Sequence, residues 1–362
     1  MALDVVHHLD IAQETRELST AEFQLRRRLK RRILGLAVIE RTRKRQASRI
    51  VNLREGDANT KFFHLKANAR KRKNHIQRLQ KDGGWAATHE EKATLIQEHF
   101  EAAMSPPPPQ QRDFNWGNLN LQLFNLDHLV EPFTEKEIYE AILQTSPDKA
   151  LGPDGFTGAF FRSCWAIIKG DLMATMNSFH AARCINLELL NSANIILIPK
   201  KDGAEHISNY RPISLIHSVA KLIAKILALR LAPAMKEIIS NSQSAFIRGR
   251  SIHDNFQYVR SVARRVHRNR TPMLLIKLDI SKAFDSVRWD YLLSLLQHIG
   301  FPAKWRDWIA AILSTSSSQI LLNGIPGQPI NHGRGLRQGD PLSPLLFILA
   351  IDPLQRLLEP CD

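Results

Sequence analysis

The sequence predicts an α+β fold in which a strongly basic helical segment precedes a region of alternating strands and helices. Three observations carry this expectation. The chain has 362 residues, 44% of them hydrophobic, enough to bury a sizeable core in two or three lobes. Its formal net charge is +15, yet residues 16–81 hold 21 Lys or Arg against 5 Asp or Glu, and this local excess of +16 leaves the remainder close to neutral. Beyond about residue 130, short apolar runs bounded by Gly, Pro, Asn and Asp alternate with stretches of helical periodicity.

Several classes drop out on composition. The three cysteines, Cys164, Cys184 and Cys361, show neither CxxC spacing nor the density of a disulfide framework, so an intracellular setting is expected. The N-terminus "MALDVVHHLD" lacks the pattern of a signal peptide. The longest apolar run, near "PLLFILAIDPL", is too short to span a bilayer, so the chain reads as soluble and free of membrane. A block as basic as 16–81 repels itself unless it meets a polyanion, which makes nucleic acid its natural partner. A solvated helical face is the plainer alternative.

From Leu18 to about Arg49, Leu25, Leu29, Ile33 and Ala37 recur every four positions among "RRR", "KRR" and "RKR", which predicts a long basic amphipathic helix. Next, Gly56 and Asp57 signal a turn, Phe62 and Phe63 could be local core or a stacking platform, and Arg70, Lys71, Arg72 and Lys73 form a candidate nucleic-acid contact. "KDGG" at 81–84 is a hairpin signal. A further helix should end at "SPPPPQQ", 105–111, which favours an extended conformation and marks a boundary or linker.

Thr134 and Glu137 fit a capping box at the start of the next helix. "DKALGPDGF", 148–156, is a Gly/Pro loop. "NIILIPKK", 194–201, reads as a short strand, "KDGAEH" as a turn, and "YRPISLI" as a second extended piece before a helix from Ser218 with Val219, Leu222, Ile223 and Ile226 on one face.

The stretch "IKLDISKAFDSV", 276–287, carries the strongest chemical signal. The two-residue period of a strand puts Leu274, Ile276, Leu278 and Ile280 on one face, with Lys277 and Asp279 on the other. Ser286 should then start a helix through Trp289, Leu292, Leu293, Leu296 and Ile299, closed by Gly300 and Pro302. A carboxylate at a strand end suits Mg²⁺, which takes carboxylate oxygen and keeps positions for water and phosphate. Equally, Asp279 could cap the following turn.

"ILLNGIPGQPI" reads as a hairpin about Asn323-Gly324 and runs into "GRGLRQGDPLSPLLFILAID". There Gly333, Gly335 and Gly339 would permit close backbone approach to a ligand, and Gln338 offers an amide to a base. Pro341 and Pro344 lead into an apolar helix, for which Asp340 could simply be the cap.

Taken in order, these blocks resemble the reverse transcriptases of non-LTR (LINE-type) retrotransposons, especially those of plants, over most of residues 45–358. "LDISKAFDSV" looks like the block that supplies the first metal-binding aspartate, Asp279, with Phe284 near the nucleotide sugar. "RQGDPLSPLLF" looks like the block that positions template and incoming nucleotide, which implicates Gln338 and Gly339. "LGPDGF", "ILIPKKDGAEHISNYRPISL" and "QSAFIRGRSIHDN" look like preceding fingers blocks, with Lys200 or Lys201 and Arg211 on the triphosphate and Arg248 and Arg250 on nucleic acid. "EGDANTKFFH" resembles the stretch ahead of the polymerase.

The resemblance implies an incomplete right-hand polymerase, fingers and partial palm, with a basic helical segment at 1–104, a Pro-rich linker at 105–130 and the reverse transcriptase domain at 131–362. It implies Mg²⁺, an RNA template, a DNA primer, deoxynucleotides and an intracellular, nuclear setting. The family's aromatic-Ala-Asp-Asp block is not found, because no two aspartates are adjacent in the chain. This leads to the expectation of a truncated fragment or mis-bounded gene model, inactive as written; the alternative is a non-catalytic nucleic-acid-binding remnant. A group II intron enzyme would share the palm blocks but not "EGDANTKFFH".

Overall fold

The computed structural model describes residues 2–48, 68–69, 71–81, 83–109, 115–119, 121–147, 150–184 and 186–358. The expected turn at Gly56-Asp57, Phe62, Phe63, the "EGDANTKFFH" stretch and Arg70 lie outside them. The chain divides into two compact units, Met1–His75 and Ile76–Asp362.

Among its described residues, the first unit opens with a helical hairpin. Helix Ala2–Thr15 is followed by helix Thr20–Ser48, close to the limits that the four-residue apolar spacing predicts. Ser19 and Glu22 form the capping box at the second helix's start, with the Ser19 amide donating to the Glu22 carboxylate at 2.9 Å. Asp10 on the first helix takes charge-assisted bonds from Arg26 and Lys30 on the second.

In the second unit, β1 (Leu79–Lys81) and β2 (Gly84–Ala86) make the hairpin signalled by "KDGG", with Gln80 paired to Trp85. Helix His89–Met104 follows, opened by a complete Thr88/Glu91 capping box. A four-stranded sheet is ordered β4-β3-β5-β6, where β3 is Ser192–Pro199, β4 Tyr210–Ile216, β5 Ser317–Leu322 and β6 Ile325–Asn331. β3 runs antiparallel to β4 and parallel to β5, and β5 pairs antiparallel with β6. Both expected strands are present, and the Asn323-Gly324 turn adopts the left-handed backbone at both positions, φ +56° and +97°, that a two-residue hairpin with native twist needs.

Two hydrophobic clusters organise the unit. One sheet face, through Ile195, Leu197, Ile320 and Leu322, is covered by Ile76, Leu79, Ala86, Ile96 and Phe100 from the hairpin and its helix. The larger cluster is helical, built on Ser218–Ile238, Trp289–Ile299, Ala303–Ser314 and Ser343–Leu358, with Trp305 and Trp308 at its centre. Because Ile76, Leu79 and Ala86 are core residues of the sheet's cover, the units divide between His75 and Ile76, ahead of the boundary expected at residues 105–130.

The chain is tied to the second unit where it enters the proline run and at Pro108. Gly333 donates its amide to Met104 at 2.7 Å, and Arg288 reaches the Pro108 carbonyl at 2.8 Å.

Two elements differ from expectation. Residues 271–280 form neither helix nor strand, and Leu274, Ile276 and Leu278 are 81%, 69% and 65% exposed. Alternating pattern alone does not make a strand, because the backbone groups need a ladder partner. Helix Ile252–Asn269 immediately before it likewise buries none of its side chains. The helix expected from Ser286 starts three residues later, at Trp289, because Ser286 closes a turn: its amide donates to Lys282 and its hydroxyl to Ala283. Its end is as expected, with Gly300 at φ +100° and the Phe301 amide returning to Leu296.

Candidate active site

The 282–287 turn and the 333–340 loop, some fifty residues apart in sequence, lock together through their backbones. Leu336 donates its amide to Phe284 and Gly335 donates to Val287, both at 2.8 Å. The Trp289 indole adds a 2.8 Å bond to the Gly335 carbonyl. Gly335 sits at φ +81°, and a Cβ there would lie 2.8 Å from the Asp285 carbonyl oxygen, so only glycine fits. Phe284 turns its ring inward onto Phe347, with centroids 4.5 Å apart.

The same loop then reaches the sheet. Ser214 on edge strand β4 donates its amide to the Gln338 carbonyl at 2.9 Å. Gly339 follows at φ +108°, where a Cβ would meet the Ser214 carbonyl oxygen at 3.0 Å. Gly333 is packed against Pro106 in the same way. The three glycines therefore serve close approach to the protein's own chain, where the sequence suggested approach to a ligand. Asp340 is the helix cap, accepting from the amides of Leu342 at 2.8 Å and Ser343 at 3.3 Å.

Beneath the loop lies a residue that sequence reasoning missed. Arg337 is buried, donating to the Asn191 carbonyl at 2.8 Å and to the Asn191 side-chain oxygen, with the Asp340 carboxylate 3.8 Å away. The Asn191 amide continues to the Ile312 carbonyl and the Thr315 hydroxyl. An arginine flanked by leucine and a glycine-rich turn was the available signal.

Charge gathers around the 282–287 turn. Burial pushes the Asp285 carboxyl above its ordinary range, and the nearby Lys282 and Lys200 partly offset this. Lys200, at the end of β3, is exposed and donates to Ser208 at 2.7 Å. Lys201 is exposed in the adjoining turn, and Arg211, exposed on β4, pairs in register with Ile198. Thus Lys200 stands by the Asp285 turn, with Lys201 and Arg211 on the same β3–β4 hairpin. Asp279 itself is exposed on the unpaired segment, six residues before Asp285.

The remaining candidates separate. Arg250 spends its guanidinium on the carbonyls of Lys236, Ile239, Ser240 and Gln243, at 2.6–3.2 Å, which closes the end of helix Ser218–Ile238. Arg248 is exposed beside it. Lys71, Arg72 and Lys73 are exposed on a helical turn of the first unit. Asp154 of "LGPDGF", which sequence reasoning did not single out, caps helix Ser218–Ile238 from a distant loop, accepting the Ser218 amide at 2.6 Å. Gly152 beside it leaves no room for a Cβ, which would stand 2.2 Å from the Ile216 carbonyl oxygen.

No group of three or more His, Cys, Asp or Glu gathers to hold a metal ion among the described residues, and no helix there is long and apolar enough to cross a membrane.

Comparison with known proteins finds relatives among retrotransposon proteins. Residues 198–361 match the family model for reverse transcriptase (RNA-dependent DNA polymerase). The chain is 29% identical over 316 residues, 86% of its length, to the uncharacterized 149 kDa protein of transposon TX1 from Xenopus laevis, covering 24% of that protein. Over 64% of its length it is 29% identical to the Pol polyprotein of a type-1 retrotransposable element R2 from Nasonia vitripennis, of which it covers 22%. It spans about a quarter of these relatives. Among solved structures, a Cas6-RT-Cas1–Cas2 complex is similar over 63% of this chain and 21% of that one, at 19% identity and a TM-score of 0.38, a likeness too distant to bear on function.

Proposed function

We propose that this chain, whose residues 198–361 are a reverse transcriptase domain related to those of non-LTR retrotransposons, serves RNA-templated DNA synthesis. Its partners are then an RNA template, a DNA primer and deoxynucleotides, its setting is the nucleus, and the plant cast of its motifs belongs to the same reading. One observation carries it: three blocks far apart in sequence meet through the Leu336–Phe284, Gly335–Val287 and Ser214–Gln338 backbone bonds. Phosphoryl transfer needs cations on the triphosphate and a positioned nucleotide. Lys200, Lys201 and Arg211 are the cations in this reading, Phe284 borders the sugar, and Gln338 and Gly339 border the templating pair.

A bound Mg²⁺ would supply activation of a primer hydroxyl and charge neutralisation on the phosphates. Asp279 would contribute one carboxylate to it. A single carboxylate does not make such a site, and residues 1–362 hold no adjacent Asp pair. This stretch by itself therefore binds template and primer without catalysing synthesis.

Fluorescence anisotropy of a labelled RNA, over a salt series, tests the binding half. The affinity of residues 1–362 should fall steeply with salt. Deleting 1–75, which spares the core residues Ile76, Leu79 and Ala86, should flatten the slope. An unchanged slope would make the basic segment a solvated face, and absence of RNA binding at low salt would overturn the functional reading itself.

A further inference from the structure

The β1–β2 hairpin, which lies outside residues 198–361, holds an aromatic surface that the polymerase reading leaves unused. Trp85 is 44% exposed on β2. Leu79 and its partner Ala86 point into the core, so the alternation of the hairpin sends Arg78, Gln80 and Trp85 to the outer face. The Arg78 guanidinium lies over the indole, 4.0 Å from its centroid. Arg78 is itself fixed, donating to the Glu205 carboxylate at 2.7 Å. The Gln80 amide bonds the Glu205 carbonyl at 2.8 Å, so the hairpin is tied to the β3–β4 loop. The indole is thus held on a strand, braced by a cation on a locked arm.

That loop also carries the cations. Lys200 and Lys201 are exposed on it, and Lys81 is exposed at the hairpin tip. Of the nearby acids, Glu205 holds Arg78 and Glu91 accepts the amides of Ala87 and Thr88, while Asp202 is exposed next to Lys201. Lys200 is in turn close enough to Asp285 to act on its carboxyl. An aromatic face beside spaced cations is what a single strand needs, since every unpaired base offers a π-face and every phosphate a charge.

From this the geometry points to a stacking platform for unpaired template bases at Trp85, with Lys81 on the strand's phosphates, on a hairpin tied to the loop whose Lys200 and Lys201 the proposed function gives to the triphosphate. The inference rests on the proposed nucleic-acid function. Its test uses residues 1–362 and labelled single-stranded oligouridylate, compared with a duplex RNA of equal length. Trp85→Ala should weaken single-strand binding about five-fold or more, and Trp85→Phe should stay within about three-fold of the parent because the ring is kept. Duplex binding should not change, because its bases are already stacked on one another. The slope of affinity against salt should also be unchanged, since no charge is removed. Trp85 lies on the surface, and equal melting temperatures for parent and variants would establish that the fold is retained. Equal single-strand affinity for Trp85→Ala and parent would overturn the platform alone. Equal weakening on duplex and single strand would overturn it as well, as a general surface effect. Failure of the parent to bind either RNA would overturn both readings.

Discussion

The Ser214 amide and the Gln338 carbonyl, 2.9 Å apart, join the edge of the four-stranded sheet to the loop that leads into helix Ser343–Leu358. An edge strand presents unpaired backbone groups, and here one of them is satisfied by the loop expected to position a nucleotide. Gly339, next in sequence, lies against the same serine with no room for a side chain. The loop is therefore pinned by backbone chemistry, which leaves the Gln338 side chain, only partly buried, available for a ligand.

If that pinning holds the loop to the Asp285 turn, Gly335→Ala should destabilise the protein by roughly 2–3 kcal/mol, the combined cost of a strained positive φ and a crowded Cβ. Urea unfolding of parent and variant gives the difference directly. A change below about 0.5 kcal/mol, the range of an ordinary surface substitution, would mean the two backbones are not in the contact described.

Arg337 and Asn191 should be energetically coupled. Arg337→Met leaves the Asn191 carbonyl and amide oxygen without their donor and should cost about 3–5 kcal/mol. Asn191→Leu together with Arg337→Met should cost less than the sum of the two, by roughly 1–3 kcal/mol. Additive effects in a double-mutant cycle would show that the pair does not act as a unit.

The two arginines of "IRGR" should part company. Arg250→Ala removes the donor from four carbonyls at and just beyond the helix end and should lower stability by roughly 2–3 kcal/mol. Arg248→Ala should be neutral in stability to within about 0.5 kcal/mol while reducing the salt slope of RNA binding by about one. The opposite assignment of effects would reverse their roles.

Acid should unfold the protein partly through His332. Burial, helped by Arg337, pushes its imidazole down to about 4, below the usual value near 6.5. The unfolded chain therefore binds the proton more tightly. Stability from this group is complete above about pH 6.5 and is lost as pH falls toward 4, by roughly 3 kcal/mol in all. His332→Gln can still bond the Ser318 hydroxyl, which now lies 2.9 Å from the ring, and should show a shallower decline over that window. Parallel curves for parent and variant would contradict this.

What the sequence made legible was local. The Asn323-Gly324 hairpin, the "KDGG" hairpin, the helix from Ser218 and the Gly300 stop follow from turn chemistry and periodicity within a few residues. Thr134 was legible as a cap, and it accepts the Glu137 amide at 3.2 Å. The other half of that box was not: the Glu137 carboxylate turns to Arg230 at 2.6 and 2.8 Å, across 93 residues. The partners of Arg250, which is expected on nucleic acid, and the roles of Asp154 and Arg337 escape sequence reasoning for the same reason, since nothing in their own neighbourhoods names a partner. The segment 273–280 shows the converse. Its alternating pattern is that of a strand, but pairing is decided by a second strand, and none is present among the described residues. Asp279 on it is exposed.

The most direct test of the account is RNA-templated primer extension with Mg²⁺ by residues 1–362 joined to an Asp-Asp hairpin from a similar retrotransposon polymerase, with and without Asp279→Asn. Residues 1–362 alone should give no product, the joined protein should synthesise DNA, and Asp279→Asn should abolish synthesis while leaving RNA affinity unchanged. Synthesis that survives Asp279→Asn would make Asp279 a turn residue and contradict its role as a metal ligand, and robust synthesis by residues 1–362 alone would contradict the need for further carboxylates.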